Sequence, residues 1–312
     1  RLMDEVRAGA PSLPGANYSV VRLGRDFLTN STAGIFYLGK EQGSTSNRLF
    51  GADVRFYPTR QWNIDGMVMR SEATSAGNGV AWRAGAQYDS SLTQYTFSYT
   101  SLDDTFRDDL GFIPRQGVDI LNAGIMRRVR PKSLAPFVRE IRPQVPYARY
   151  SRDTTNPQTS RTIGVETALW TPTVTVELFD ASILDYIFTA DEELLTAPFR
   201  PQGTPAGKSI APGRYRFQNH SIGYEMSNAR RLALGLGLRG GEFYDGTRHG
   251  WSASGRLRVN QFLATSVIYN RDTIALADRT RFNTDLASLR VDASFSTRMF
   301  LNAFIQYNSV TK

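Results

Sequence analysis

Residues 250–260 read GWSASGRLRVN, and they constrain the chain more than any other stretch. Trp251, Ala253, Gly255, Leu257 and Val259 share one parity, and Ser252, Ser254, Arg256, Arg258 and Asn260 share the other. Side chains of a strand point alternately to its two faces, so this strand has one apolar and one polar face. A soluble sandwich can carry such a strand. Here the alternation recurs along nearly the whole chain, with arginines stacked on the polar parity. Val80, Trp82, Ala84, Ala86 and Tyr88 oppose Ala81, Arg83, Gly85, Gln87 and Asp89. Ala287, Leu289, Val291, Ala293 and Phe295 oppose Ser288, Arg290, Asp292 and Ser294. An antiparallel sheet closed in a membrane needs this pattern, with lipid on one side and water on the other.

Composition sets further bounds. The 312 residues contain no linker-like stretch and read as a single domain over 1–312. No apolar run reaches the 18 or so residues of a membrane helix, whereas a barrel strand needs only about 9–11. The chain has no cysteine, which excludes disulfides, thiolate metal sites and cysteine nucleophiles. The net charge of +8 suits nucleic acid, acidic lipid or an anion-attracting channel. The arginines sit singly at strand parity rather than in a block, which argues against nucleic acid.

About 16 strands are expected, at 17–27, 31–40, 49–58, 62–72, 80–89, 92–102, 118–128, 135–152, 161–170, 173–187, 215–226, 232–242, 249–259, 262–272, 282–295 and 299–309. Pro143 and Pro146 make 135–152 the least regular of these. The connections are expected to alternate. Short ones lie near 28–30, 59–61, 90–91, 131–134, 171–172, 227–231, 260–261 and 296–298. Long ones lie near 41–48, 73–79, 103–117, 153–160, 188–214, 243–248 and 273–281. Short periplasmic turns and long extracellular loops are the habit of outer-membrane barrels. Trp82, Tyr99, Trp251, Tyr269 and Tyr307 fall on the apolar parity near the long-loop ends, and Trp62 and Tyr88 near the short-turn ends. These are the expected aromatic girdles. Trp170 falls on the other parity. By the same alternation both chain ends lie outside. Single-chain bacterial barrels have even strand numbers, so strands are expected beyond each end and 18 or more in the full barrel.

The polar parity assembles Arg83, Arg256, Arg258 and Arg290 with Asp53, Asp65, Glu166, Glu177 and Asp292. In a barrel these line the lumen, as structural cross-links or as a field that selects solutes by charge. Asp103, Asp104, Asp108 and Asp109 crowd one connection without EF-hand spacing, and Arg107 intervenes. The expectation there is a solvated loop rather than a calcium site. The 188–214 connection, with Asp191, Glu192, Glu193, Leu194, Leu195 and Phe199, either folds inward as a constriction or binds a partner outside. His220 and His249 are the only histidines. They read as rim or lumen residues, with no metal site. No serine sits in a nucleophile-elbow motif, so no catalytic residue is expected.

Residues 17–27 (NYSVVRLGRDF), 106–117 (FRDDLGFIPRQG) and 300–309 (FLNAFIQYNS) resemble a known family. It is the large C-terminal barrel domain, of unknown function, of bacterial outer-membrane proteins that usually carry a family-9-like carbohydrate-binding module in front. The resemblance implies an outer-membrane barrel. It supplies no catalytic residue or substrate.

The sequence thus predicts an all-β protein, a large antiparallel transmembrane β-barrel of the bacterial outer membrane. Its expected role is a pore or transport channel with a polar, arginine-containing lumen, not an enzyme and without a cofactor. The alternative is a plugged structural barrel that anchors a larger surface assembly. Expected partners are outer-membrane lipid and other subunits of a surface or periplasmic complex, with no nucleic acid.

Overall fold

The computed structural model describes residues 15–152, 155–156, 161–162, 164–296 and 298–310. Residues 1–14 and most of the 153–160 connection fall outside them. The strands are β1 (Ala16–Phe27), β2 (Ser31–Gln42), β3 (Thr45–Phe56), β4 (Trp62–Ala73), β5 (Gly77–Asp89), β6 (Thr93–Leu102), β7 (Val118–Arg127) and β8 (Val138–Ser151). A two-residue pair, β9 (Thr155–Asn156) and β10 (Arg161–Thr162), follows. Then come β11 (Val165–Trp170), β12 (Thr173–Leu178), β13 (Ile183–Leu195), β14 (Gly213–Glu225), β15 (Leu232–Phe243), β16 (Gly246–Arg258), β17 (Leu263–Ala275), β18 (Arg281–Ser296) and β19 (Met299–Asn308). Seventeen of these strands form one antiparallel sheet. The chain divides into two compact units, with boundaries after Tyr88, Thr96, Leu121, Tyr150 and Gly164.

Each unit has two faces of opposite character, because residues paired across a ladder point to the same side. In the first unit the register carries one face through Leu23, Ile35, Ala52, Val68 and Trp82. Leu23, Ile35, Val68 and Trp82 are exposed there. The opposite face runs through Gly34, Asp53, Met67 and Arg83. In the second unit one face runs through Leu234, Gly255, Val267, Leu289 and Ile305, with Leu234, Val267 and Ile305 exposed. The other runs through Gly235, Ser254, Ile268, Ser288 and Gln306. Exposed aliphatic rows of this length belong against hydrocarbon. The fold class is the one the sequence predicts, a large antiparallel transmembrane β-barrel.

Two expectations about the connections are corrected. Residues 171–172 are not a turn. Thr167 pairs with Glu193, Thr173 with Ile187 and Glu177 with Ile183, so β11 and β12 lie in one register against β13. Proline has no N–H to give, yet the ladder survives because its carbonyl still accepts. Phe188 N–H donates to Pro172 O at 2.9 Å, and Thr171 N–H donates to Pro146 O at 3.1 Å. The reversal falls at 179–182 instead. There Ala181 takes φ 61°, and the Asp180 carboxylate accepts from the Ser182 N–H and hydroxyl at 3.0 and 2.9 Å. The single strand count of 165–178 also puts Trp170 on the face of Val174, Val176, Tyr186 and Ile222, which is the apolar one.

The second correction concerns loop length. The connections expected to be long at 41–48, 73–79, 243–248 and 273–281 are tight reversals, because β2, β3, β4, β5, β15, β16, β17 and β18 extend through them. Gly43 at φ 59° and Tyr244 at φ 51° make two of these turns. Polar strand ends resemble loops in sequence, since their outward positions need not be apolar once past the hydrocarbon. Among the described residues, the connections that remain long are 103–117 and 196–212. Residues 188–195 and 213–214, expected in a loop, are strand.

Adjacent residues Ser288 and Leu289 test the two faces directly. Leu289→Arg should lower folding stability in lipid by about 2–4 kcal/mol, and Ser288→Arg by well under half of that. Denaturant titration of both variants in vesicles checks it, and equal losses would mean the faces are misassigned.

Candidate functional site: the polar face and its two loops

On the polar face of the first unit the charges stand in pairs. Arg22 Nη1 and Nη2 donate to both oxygens of Asp53, at 2.7 and 2.8 Å. This fork geometry is the strongest that an arginine and a carboxylate make. Arg83 Nε donates to Asp65 at 3.1 Å, and Arg83 also reaches the Thr100 hydroxyl at 3.5 Å. Arg22, Asp53, Arg55, Asp65 and Arg83 line a cavity of about 520 Å³.

The second unit repeats the arrangement. Arg239 Nε and Nη2 donate to the two oxygens of Asp272 at 2.7 Å each, and Arg248 Nη2 adds a third bond at 3.1 Å. Glu177 accepts from Arg139 at 2.9 Å and from Arg142 at 3.2 Å. Arg290 Nε donates to Asp292, two residues along the same strand, at 3.0 Å. Arg256 lies between Ala233 and Ser266 across the ladder and is exposed. Arg258 is exposed at the strand end and donates to Asn228 O at 3.4 Å.

Of the residues expected on this face, Arg83, Asp53, Asp65, Glu177, Arg256, Arg258, Arg290 and Asp292 are placed on it by the register. Glu166 is not. It lies four positions before Trp170 in β11, and so on the apolar side. The misreading followed from the false turn at 171–172, which reversed the parity of this strand. Arg22, Arg239, Arg248 and Asp272 were missed. Their signal was present, since each falls on the polar parity of its own strand, but only the register shows that they meet.

The aromatic residues expected as girdles pair across neighbouring strands on the apolar face. Trp62 lies 5.2 Å from Tyr88, Trp82 stacks on Tyr99 at 5.3 Å, and Trp251 lies 5.0 Å from Tyr269. Tyr307 is exposed on the same side. The Tyr269 hydroxyl donates to Asp285 at 2.5 Å. His220 also faces this side, against Phe188 at 5.1 Å, with Nδ1 2.8 Å from the Tyr186 hydroxyl. His249 is exposed in β16, on the parity of Trp251. Among the described residues no three His, Asp or Glu side chains cluster as metal ligands.

The acidic connection 103–117 keeps Asp103, Asp104 and Asp109 in solvent, as the sequence leads one to expect. It folds onto the polar face of its unit, because it carries an apolar side chain that needs cover. Phe106 is 1% exposed and packs with Leu49 and Ala81, flanked by Phe36, Leu38 and Met69. Its backbone is tied down by buried polar groups of the sheet. Arg107 N–H donates to the Ser71 hydroxyl at 3.0 Å, Asp109 N–H to Asn47 Oδ1 at 3.0 Å, and Asn47 Nδ2 to Arg107 O at 3.2 Å. Asp103 accepts from Val80 N–H at 2.8 Å, and Lys40 pairs with Asp109 at 3.5 Å. The approach requires Gly79, where a Cβ would stand 2.3 Å from Phe106 N. The aspartates therefore brace the loop.

The connection 196–212 does the same in the second unit. Phe199 and Ile210 form an antiparallel bridge, closed by N–H to O bonds of 3.0 and 2.8 Å. Ile210 is 1% exposed and packs on Ile274, Leu276 and Phe282. Phe199 lies 5.4 Å from Tyr244. Lys208 pairs with Asp278 in the β17–β18 turn at 2.7 Å. Ile274 and Phe282 lie on the polar parity of their strands, so the loop packs on the polar face of its unit.

No family model matches the chain, and no curated protein matches it. Solved outer-membrane structures align over most of its length. OccAB2 of Acinetobacter baumannii aligns at 8% identity and a TM-score of 0.48, over 94% of this chain and 88% of that one. OccK3 of Pseudomonas aeruginosa aligns at 12% identity and 0.48, over 93% and 94%. OmpT of Vibrio cholerae, in its trimer form, aligns at 12% identity and 0.43, over 94% and 88%. The fold stands on this chain's own pairing and faces.

Phe106→Ala should release the 103–117 loop, at a cost of about 3 kcal/mol to its docking. Limited proteolysis in detergent should then cut within the loop while the strands resist. Unchanged protection would show that Phe106 does not hold it. The other loop should respond to pH. Lys208 and the Thr280 N–H and hydroxyl hold the Asp278 carboxyl well below the usual carboxylate range. A depressed carboxylate contributes stability above its ordinary pKa and loses it as pH falls through the folded one. The protection factors of the amides at 205–210, which correct for the intrinsic pH dependence of exchange, should fall in strong acid relative to pH 7, and Asp278→Asn should show the lower protection already at pH 7.

Proposed function

We propose that this chain is a bacterial outer-membrane barrel that conducts small solutes along its polar face, with the 103–117 and 196–212 loops each narrowing that face in its own unit. Lipid covers the apolar face. The observation that carries the reading is the pair of charge-lined spaces left open beside the docked loops, about 520 Å³ in the first unit and about 460 Å³ in the second. A polar surface that served only as a structural plug would fill such spaces with side chains. The resemblance to barrel domains of bacterial outer-membrane proteins supports the location.

The charges give the channel a preference. The first space sets three arginines, Arg22, Arg55 and Arg83, against two aspartates, Asp53 and Asp65. Arg256 and Arg258 add exposed positive charge in the second unit. A lining with arginine in excess favours anions. A second reading is a plugged barrel that anchors other subunits, and the burial of Phe106 and Ile210 favours it. Neither reading involves a catalytic residue or a cofactor.

Planar-bilayer recording separates the two. Discrete channels with an anion-directed reversal potential are expected, and Arg256→Glu should shift that potential toward cations. A correctly folded barrel that passes no current would eliminate the channel and leave the anchor.

A further inference from the structure

We propose that the cavity beneath the 196–212 loop binds an organic carboxylate with an apolar body. The inference deepens the channel reading in that it needs water to reach the polar face, but it does not need the barrel to conduct.

The cavity, of about 460 Å³, lies between the loop and the polar ends of β15–β19. That volume holds a small organic molecule. Its charged wall is the group of Arg239, Arg248 and Asp272. Asp272 is largely enclosed, with its side chain 12% exposed, while those of Arg239 and Arg248 are 38% and 32% exposed. Two guanidiniums thus share one carboxylate and leave one positive charge over. A guanidinium has five N–H donors. The pair directs three of its bonds to Asp272. The rest of the fork remains for an acceptor that arrives from outside. Asp285 also borders the cavity, but Arg271 at 3.7 Å and the Tyr269 hydroxyl answer its charge.

The remaining walls choose among anions. Phe199 and Pro201 come from the loop, and Phe243, Ile274 and Leu286 from the strands. A compact, fully hydrated anion would gain nothing from them. A planar carboxylate matches the guanidinium fork two N–H groups at a time, and an apolar body behind it covers the aromatic and aliphatic walls. Gln202, Asn270 and Asn308 supply neutral polar groups around the cavity.

The test is calorimetric titration of the 312-residue chain in detergent with 3-phenylpropionate, beside 3-phenylpropan-1-ol and inorganic phosphate. Saturable binding is expected for the carboxylate, at least tenfold tighter than for either control. Arg248→Gln should weaken it at least tenfold, because Asp272 keeps its two bonds from Arg239 and the fold holds, as circular dichroism will show. Thr284→Trp, which fills the cavity without changing charge, should abolish binding. The proposal is overturned by no saturable binding, by equal binding of the alcohol or of phosphate, or by an Arg248→Gln variant that folds and binds as before. Bilayer recording on the same preparation keeps the readings apart. A silent barrel that binds the carboxylate removes the channel and retains this site, and a conducting barrel that does not bind removes this site alone.

Discussion

Hydrocarbon offers no partner to a peptide group, so every backbone N–H and C=O that crosses it must be paired within the protein. The rest of this structure depends on that constraint. It explains ladders that run unbroken for their full length, such as β16 on β17 from Thr247–Ala275 to Arg258–Ala264. It also explains how Pro172 is tolerated. The ring removes one donor, and the strand continues because the neighbouring strands still give and receive on either side of it. Once the ladder is fixed, the register is fixed. A slip of one residue would turn leucines such as Leu234 and Leu289 toward water and arginines such as Arg83 and Arg290 toward lipid.

The two faces then meet different solvents and are built by different rules. The apolar face needs only exposed aliphatic side chains and aromatic pairs near its edges, and it has them in both units. The polar face has to place charges where water and low-dielectric protein meet. It answers most of its arginines with carboxylates, and the sharing is uneven. Asp272 serves two arginines and Asp53 one. Such pairs add modestly to stability where they are exposed, so their arrangement bears more on the field along the face than on folding.

The two long loops show a further consequence. A loop that crosses a wetted face cannot be held by lipid, so it carries its own anchor. Phe106 and Ile210 are those anchors, each almost fully buried in a chain whose apolar side chains are mostly exposed. Around each, backbone bonds or a strand-like bridge hold the loop against the sheet. Gly79 marks where this matters most, because the loop backbone occupies the space a side chain would take.

The sequence by itself determined the class of fold, most of the strands and the two-faced character of the sheet. Alternation with a period of two is a local property, legible wherever a strand is long, as in 250–258 or 287–295. It placed Arg83, Arg290 and Leu289 on their proper sides without any knowledge of their neighbours. Only the tertiary structure decided which charges meet, where the chain reverses at 179–182, and that the 103–117 and 196–212 loops fold onto the polar face. Arg22 and Asp53 lie 31 residues apart, and their contact depends on the register of two intervening ladders. Glu166 was misplaced because a proline that elsewhere ends a strand here lies inside one, and the partners that permit it, Pro146 and Phe188, come from other strands. Pairing between distant segments is a property of the assembled sheet, and no window of sequence contains it.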